Sequence, residues 1–428
     1  MKILLMDSGN IADALTQVLC REGHDVYASN DHVGTRLRGA KTIGYYEDMR
    51  NAINERWDLV VACGTNVNRD GHVEMFKDKG IPVVGSGAKG FQMEKKNVGR
   101  KIFEEAGFTS PPWSAFDHVA DAIRFLKSFH ASYGVVVKFT ETNRAFRTIV
   151  CENPDDAITG LERAGDGQVV IEGKVQGNEV SHAVYFDGHR FVQAVTTMEH
   201  KHLWRGRRGV LTPEMGTLVW YEPAHKWVEA FNSLLESPTA REHLKDYRGF
   251  LDINAIVDED GEIVPLEFTC RYGVPQTDIM TALQKTEGDY GEFLLSVANG
   301  DSRPDLLHHR AEFAVGVNLV VCGFPYHEIH PDICQIGSPI RGLQDIDTHF
   351  TLGAVKEVGS QICTDGAWVM CVTGIGFDVP TARQRAYENE AKVSFHDMIF
   401  RDDIGESFEN EKRELAAKDI ISWRLAYR

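Results

Sequence analysis

Short apolar runs alternate with amphipathic stretches through the first 90 residues of the chain. The apolar runs predict strands at 3–6, 26–28, 59–62 and 83–84. Between them, the spacing of apolar positions predicts helices over 12–22, 46–55 and 73–79. Strands that alternate with helices of this length pack as a parallel sheet covered by helices on both faces. The pattern therefore predicts an N-terminal α/β unit with a doubly wound, Rossmann-like parallel sheet.

The pattern changes after a predicted helix over 95–106, which Gly107 closes and the breaker Thr109-Ser110-Pro111-Pro112 follows. Strands and helices then mix, as expected of an α+β arrangement, and an acidic tail after Asp402 predicts a solvated helix. The longest helices are predicted over 154–164, 224–235, 278–299 and 380–393. We expect a multidomain α/β and α+β chain, with units at 1–108, 109–180, 181–305 and 306–428.

Composition narrows the class of protein without naming it. The 428 residues are 43% hydrophobic and 25% charged, as in globular proteins, and no apolar run is long enough to span a membrane. The net charge of −17 argues against broad nucleic-acid binding, which needs a positive surface. The eight cysteines are scattered without a CxxC pair, which favours buried thiols in a reducing compartment. A cytoplasmic protein is the resulting expectation.

An acidic pair of strands surrounds the predicted hairpin turn at 258–261. Because strand side chains alternate between faces, Asp252 and Asn254 share one side of the first strand, and Glu267 and Thr269 share one side of the second. Carboxylate and amide oxygens at one place suit Mg²⁺ with a bound nucleotide. The alternative is an ordinary solvated polar face of the sheet.

Other polar positions end buried runs. Lys138 closes the run 135–138 and is a candidate phosphate contact, while Glu172 closes 169–172 and is soon followed by Glu179. An apolar hinge flanked by acids is suited to holding adenine and accepting hydrogen bonds from ribose hydroxyls.

The first strand leads into a turn at Ser8 and Gly9 before the first helix. Free amides at a helix N-terminus attract anions, so this turn is a candidate anion site. The full GxGxxG fingerprint is absent, and a simple Ser/Asn helix cap is the alternative.

The order of these motifs resembles the ATP-grasp superfamily, and in detail the phosphoribosylamine–glycine ligase family. The most specific segment is Leu266-Glu267-Phe268-Thr269-Cys270-Arg271-Tyr272-Gly273-Val274-Pro275-Gln276-Thr277. Supporting segments are Val170-Ile171-Glu172, Gly177-Asn178-Glu179, Glu199-His200-Lys201, Cys371-Val372-Thr373-Gly374-Ile375-Gly376 and Phe400-Arg401-Asp402-Asp403-Ile404-Gly405. The likeness covers nearly the whole chain. It implies an ATP-grasp domain in two subdomains at 109–180 and 181–305, followed by a C-terminal mixed-sheet domain.

The resemblance also implies a reaction of purine biosynthesis. ATP phosphorylates a carboxylate, and an amine attacks the acyl phosphate to give an amide, ADP and phosphate. The implied cofactors are ATP and Mg²⁺, with Mn²⁺ as the other candidate metal. The implied partners are small-molecule carboxylate and amine substrates, with neither nucleic acid nor membrane, in a monomer or a dimer.

Roles for individual residues follow from the resemblance. The expected catalytic residues are Lys138, Glu267 and Arg271, with Arg271 acting on the transferred phosphoryl group. The expected nucleotide contacts are Lys96, Lys138, Glu172, Lys174, Val175 and Glu179. The expected metal ligands are Glu267, Asp252 and Asn254. The expected substrate contacts are Ser8, Gly9, Lys201, Arg207, Arg208, Met215 and Gly216.

The chain departs from the family at several loops. The family's flexible glycine-rich loop is here 139–147, which contains no glycine, and a metal-binding asparagine is here Thr269. The family's Gly-Gly-Met-Gly segment is Pro213-Glu214-Met215-Gly216, and an arginine of the first turn is an isoleucine. The loop 201–208 is unusually basic, which indicates either a pocket for a larger anionic substrate or a solvated surface.

Three functions follow from this pattern. The first is a phosphoribosylamine–glycine ligase. The second is an ATP-grasp ligase that joins an amino acid to a different amine. The third is a catalytically silent nucleotide-binding relative.

Overall fold

A computed structural model describes residues 1–7, 11–43, 51–130, 133–139, 148–221, 225–310, 312–326, 335–346 and 349–422. Its first sheet is parallel, with the order β3-β2-β1-β4-β5. The strands are β1 Lys2–Met6, β2 Asp25–Ala28, β3 Lys41–Thr42, β4 Leu59–Ala62 and β5 Val83–Val84. Its apolar strands are almost wholly buried, since helices pack on both faces, and the predicted doubly wound sheet is confirmed.

The predicted helices of the N-terminal half that lie in the described residues are confirmed to within three residues at each end, whereas the short helices Val33–Leu37, Thr65–Arg69 and Gly87–Phe91 were not predicted. The first half of the prediction over 46–55 lies outside the described residues. The helices of this half are Ala12–Arg21, Val33–Leu37, Thr65–Arg69, His72–Lys77, Gly87–Phe91, Lys96–Glu105, Val119–Leu126 and Pro154–Ala164.

A four-stranded antiparallel sheet follows, with the order β6-β9-β7-β8. Two helices, Val119–Leu126 and Pro154–Ala164, cover one face, and their apolar residues form a separate small core with the strands. The strands are β6 Trp113–Phe116, β7 Val135–Phe139, β8 Thr148–Cys151 and β9 Val169–Gly173.

The largest sheet runs in the order β16-β15-β10-β11-β14-β17-β21-β18, with β22 paired to β17. The strands that follow residue 305 therefore continue the same sheet, because β14 pairs antiparallel with β17. The strands are β10 Asn178–Phe186, β11 Phe191–Glu199, β14 Gly216–Trp220, β15 Gly249–Val257, β16 Ile263–Thr269, β17 Phe313–Val321, β18 Phe350–Leu352, β21 Trp368–Gly376 and β22 Met398–Ile399.

Two small hairpins stand apart from this sheet. They are β12 His202–Trp204 with β13 Arg208–Leu211, and β19 Val355–Val358 with β20 Gln361–Thr364. The helices of the second half are His225–Leu234, Pro238–Leu244, Gln276–Met280, Tyr290–Ala298, Val379–Glu390 and Phe408–Ala417. None of the helices in the described ranges is long and apolar enough to cross a membrane.

Two predicted elements were wrong in detail. A single helix over 278–299 is instead two helices, because Gly288 interrupts the pattern and Asp289 caps a new helix by accepting from the Glu292 amide at 2.8 Å. The tail helix Phe408–Ala417 is not fully solvated. Its Phe408 and Leu415 are buried in the main core.

Candidate active site

The candidate site lies where the four-stranded sheet meets the β15–β16 edge of the large sheet. The helix Lys96–Glu105 joins the two sheets there. Its Arg100 donates to the Pro265 carbonyl on β16 at 2.5 Å and to Glu172 on β9. Lys138 on β7 reaches the Leu266 carbonyl at 3.4 Å. Residues distant in the chain therefore converge on one cleft.

A buried cluster of two cations and one carboxylate forms one wall of the cleft. Arg100 donates to both oxygens of Glu172, at 2.8 and 2.7 Å, and Lys138 Nζ lies 3.0 Å from Glu172 Oε2. The Lys138 and Glu172 side chains are 8% and 3% exposed. Burial alone would raise the pKa of Glu172, but the charges of Lys138 and Arg100 lower it. Glu172 is therefore ionised with its oxygens already engaged.

A second ion pair, Lys96 with Glu267, lies nearer the mouth of the cleft. These side chains are 21% and 34% exposed, so ligands can reach them. Burial alone would raise the pKa of Glu267, but Lys96, Lys201 and Lys138 lower it well below its usual value. Glu267 is thus an ionised carboxylate that faces several cations.

Lys201 holds the third cluster of charges. Its Nζ lies 2.5 Å from Glu179 Oε1 and 2.9 Å from Glu199 Oε2. Burial would lower the pKa of Lys201, but these two carboxylates raise it well above its usual value. With its amide nitrogen turned toward Glu199, Asn254 donates to both Glu199 oxygens at 3.0 and 2.9 Å.

The predicted acidic hairpin forms as the antiparallel pair β15 and β16, with a register shift between Asn254 and Ala255. Asn254 pairs across the strands with Glu267, and Asp252 pairs with Thr269. Asp252 is 2% exposed, and its Oδ2 accepts from Ser181 and from Gln276, both at 3.3 Å. Burial, together with the nearby Glu199 charge, raises the pKa of Asp252 to about 8.

Arg271 leaves the end of β16 toward the same cleft. Its guanidinium donates to the Tyr272 carbonyl at 2.9 Å and lies 3.8 Å from Glu94. Its Nε is buried without a hydrogen-bond partner among the described residues. Glu94 in turn accepts from the Cys270 amide at 2.7 Å.

The remaining predicted contacts are dispersed. Lys174 pairs with the exposed Glu152 at 2.6 Å, and Val175 is half-buried between β9 and β10. Arg207 and Arg208 are exposed on the β12–β13 hairpin.

Two further predicted substrate contacts lie at the start of β14 in the large sheet. Met215 is fully buried, and Gly216 opens β14. Ser8 and Gly9 lie outside the described residues.

Three charged residues of the site were not assigned a role from the sequence. Arg100 stands one helical turn after Lys96, a spacing that places both on one face of the helix. Glu199 lies two residues before Lys201, and Glu214 stands just before Met215. Their side chains are all largely buried.

The described residues hold one set of three metal-type ligands within 4.8 Å, Glu22, His24 and Asp289, which lies at the N-terminal sheet. His24 Nε2 lies 3.1 Å from Asp289, and Glu22 accepts from the Tyr290 amide at 2.9 Å. These contacts are those of a helix cap. In the cleft, Glu267 and Asn254 are cross-strand partners whose side chains carry oxygen atoms of the type that Mg²⁺ prefers.

Two antiparallel sheets that meet over paired lysines and carboxylates define an ATP-grasp protein. Residues 94–277 match the family model "Phosphoribosylglycinamide synthetase, ATP-grasp (A) domain", and residues 314–407 match "Phosphoribosylglycinamide synthetase, C domain". The chain belongs to the phosphoribosylglycinamide synthetase family, as the sequence resemblance predicted.

The chain is similar to a curated ligase in sequence and to solved structures in fold. A phosphoribosylamine–glycine ligase of Vibrio parahaemolyticus is 28% identical over 355 residues, which are 78% of this chain and 80% of that protein. The crystal structure of a phosphoribosylamine–glycine ligase of Thermotoga maritima has a TM-score of 0.77 and 22% identity, over 95% of this chain and 100% of that one. An N5-carboxyaminoimidazole synthetase of Staphylococcus aureus, complexed with ADP, has a TM-score of 0.59 and 16% identity over 91% and 97%.

Proposed function

We propose that this chain is an ATP-dependent carboxylate–amine ligase that forms an amide through an acyl phosphate. The observation that carries the proposal is the cleft in which Lys96, Lys138 and Lys201 each face a carboxylate. Phosphoryl transfer between anions depends on positioned cations more than on covalent help from the protein. The family and its curated relatives support the same reaction.

Lys96 and Lys138 are the proposed phosphate contacts. Lys138 is held in place by Glu172, so its position is fixed before a nucleotide arrives. Lys96 is more exposed, and its partner Glu267 is the residue that a metal would bind. Phosphate oxygens can therefore replace Glu267 beside Lys96 without leaving an unpaired buried charge.

Glu267 and Asn254 are the proposed metal ligands, because they are cross-strand partners with oxygen atoms that suit Mg²⁺ or Mn²⁺. Asp252 lies two cross-strand pairs further along β15 and stays a predicted third ligand. A bound divalent ion would neutralise phosphate charge during transfer. These residues hold and orient the nucleotide phosphates.

Arg271 is the proposed stabiliser of the acyl phosphate. Its guanidinium is fixed by the Tyr272 carbonyl, while its buried Nε has no hydrogen-bond partner among the described residues. A fixed donor of this kind is suited to negative charge that develops on a transferred phosphoryl group.

The test is ADP release from ATP and Mg²⁺ with pairs of carboxylates and amines, starting with glycine and phosphoribosylamine. Glu267→Gln should lower turnover on the order of 10²-fold, since it removes the charged metal ligand. Exposed Glu162→Gln is the matched control and should leave turnover unchanged. If Glu267→Gln turns over as fast as the control, the metal site is misplaced.

The same assay separates the two other candidates. An active ligase with another acceptor releases ADP with a different amine, and a silent relative releases none with any pair. Thermal-shift titration then distinguishes a silent nucleotide-binding protein, which ATP stabilises, from one that does not bind ATP. On the proposed function, the substrates are small molecules of purine synthesis in the cytoplasm, and the assembly is a monomer or a dimer.

A further inference from the structure

A set of buried oxygen atoms beside the cleft has no hydrogen-bond donor in the part of the chain that the structure describes. The atoms are Asp252 Oδ1, Glu214 Oε1, Gln276 Oε1 and Asn318 Oδ1, and we call these four residues the acceptor cluster. In the same order, the four residues are 2%, 4%, 3% and 2% exposed. Buried polar atoms in folded proteins normally have partners, so a cluster of unsatisfied acceptors indicates a missing donor.

The amide orientations within the cluster are fixed by neighbours. Gln276 Nε2 donates to Asp252 Oδ2 at 3.3 Å, and Asn318 Nδ2 donates to the Glu214 carbonyl at 2.9 Å. Turning either amide around would place its oxygen against another oxygen. The unsatisfied oxygens of Gln276 and Asn318 are therefore acceptors, which need N–H or O–H groups from elsewhere.

The acceptor cluster occupies one region of the large sheet. Asn318 on β17 donates its backbone amide to Met215 at 3.1 Å, directly after Glu214. The helix Gln276–Met280 packs on β14 and β17 and carries Gln276 toward Asp252. The charges of Asp252 and Glu214 act on each other, and Lys201 and Glu199 act on both. The cluster thus adjoins the lysines of the candidate site.

No described lysine of the cleft neutralises the cluster by direct pairing. Lys96 pairs with Glu267, Lys138 with Glu172, and Lys201 with Glu179 and Glu199. Among the described residues neither Asp252 nor Glu214 forms an ion pair, and burial raises the pKa of both carboxyl groups, so a bound cation would favour their ionised forms. A ligand that satisfies this region brings positive charge and several N–H donors. An anion brings neither.

We propose that the acceptor cluster is a subsite for a substrate ammonium group, held between Glu214 and Asp252, so that Asp252 contacts the substrate in place of the metal. The proposal rests on the ligase function, since it assigns one subsite of that reaction. The ammonium has two possible sources, which share this chemistry. It is either the amino group of an amino acid whose carboxylate is phosphorylated or the cationic end of an acceptor amine. Glu214, at a position where the resembled motif has glycine, makes the subsite a property of this chain.

The experiment is calorimetric titration of the full chain, with and without a nonhydrolysable ATP analogue and Mg²⁺. The probes are glycine for the first source, putrescine for the second, and ribose 5-phosphate as an anionic comparison. We expect glycine or putrescine to bind, and Glu214→Gln to weaken that binding at least about tenfold, as loss of a charge-assisted hydrogen bond should. Glu162→Gln, on an exposed helix face, should bind as the wild type does.

Asp252→Asn is a second variant, and it should weaken the same probe. Both variants should melt no lower than the wild type, because each removes an unpaired buried carboxylate of unchanged size. The proposal is overturned if neither ammonium probe binds the wild type, or if both variants bind it unchanged. Loss of stabilisation by ATP would instead contradict the ligase function, and the titrations without nucleotide report on the subsite independently.

Discussion

Glu172 and Asp252 are buried to the same degree and yet differ in their surroundings. Glu172 has Arg100 and Lys138 against its oxygens, whereas Asp252 has a hydroxyl and an amide. The neighbouring charges lower the pKa of Glu172, while burial and Glu199 raise the pKa of Asp252 to about 8. One carboxylate is thus a fixed anion, and the other exchanges a proton near neutral pH in the absence of ligands.

This difference predicts how stability depends on pH. The folded-state pKa of Asp252, about 8, lies above its ordinary 3.8, so the folded chain binds the extra proton between these values. Its contribution to stability is then lost as pH rises from about 4 to about 8, by up to about 1.4 kcal/mol per pH unit. Asp252→Asn removes this term. The variant should therefore gain stability relative to the wild type as pH rises through that window.

Urea unfolding at several pH values measures the effect. Asp305→Asn is the control, because the ion pair with Arg303 lowers the pKa of Asp305. The stability of the wild type therefore depends on this group with a small slope of opposite sign in pH. A difference between Asp252→Asn and wild type that stays constant from pH 4 to 8 would show that Asp252 does not hold its proton.

At the scale of the elements, the hairpin of β15 and β16 was predictable because its turn and its alternation are local. Strand alternation places Asp252 and Asn254 on one face, but the pairing of Asn254 with Glu267 depends on a register shift between Asn254 and Ala255 that the turn does not predict. Arg100 and Glu199 needed more, since Glu172 and Asn254, which they contact, lie on elements distant in the chain. The sequence carried no local sign that Glu172 would already be engaged by Arg100.

The start of β14 depends on a close approach between two strands. A Cβ atom on Gly216 would lie 2.5 Å from the Gly316 carbonyl oxygen on β17. Gly216→Ala should therefore separate the two strands and cost about 1–3 kcal/mol of stability. The neighbouring Glu214 should move with β14, so nucleotide-independent substrate binding should weaken as well.

Denaturant midpoints and the substrate titrations measure both effects. Gly160→Ala is the control, because Gly160 lies inside the helix Pro154–Ala164, where alanine is favoured and only the flexible end of Ile149 must move. A Gly216→Ala protein as stable as the control would mean that β14 and β17 do not approach so closely.

At the scale of the whole molecule, one sheet unites the cleft with the C-terminal part of the chain. β10, β11, β15 and β16 carry the site, and β17, β21 and β18 extend the same sheet. The tail helix packs on this sheet, with the Phe408 ring 5.5 Å from Trp220 and 5.6 Å from Phe313. The alternation of strands and helices predicted the N-terminal parallel sheet, but the sharing of the large sheet across residue 305 arises from long-range pairing that no local pattern shows.

Phe408→Ala tests whether the large sheet and the tail helix unfold in one cooperative transition. Phe408 is 1% exposed in the main core, so truncation should cost about 3–5 kcal/mol and lower the midpoint for the whole sheet together. Exposed Phe377→Ala should change stability by less than about 0.5 kcal/mol. If fluorescence and circular dichroism show separate transitions in Phe408→Ala, the C-terminal part folds independently of the cleft.

The pairing of Lys96 with Glu267 has a thermodynamic consequence for the proposed ligase. A metal ion alone must compete with Lys96 for Glu267, and a nucleotide without metal must approach the negative charge of Glu267 as it binds Lys96. Each ligand removes the obstacle that the other meets. Linkage then requires that the metal raise nucleotide affinity by the same factor by which the nucleotide raises metal affinity. The chain should accordingly take up the metal–nucleotide complex as one cooperative ligand and hold either component alone only weakly.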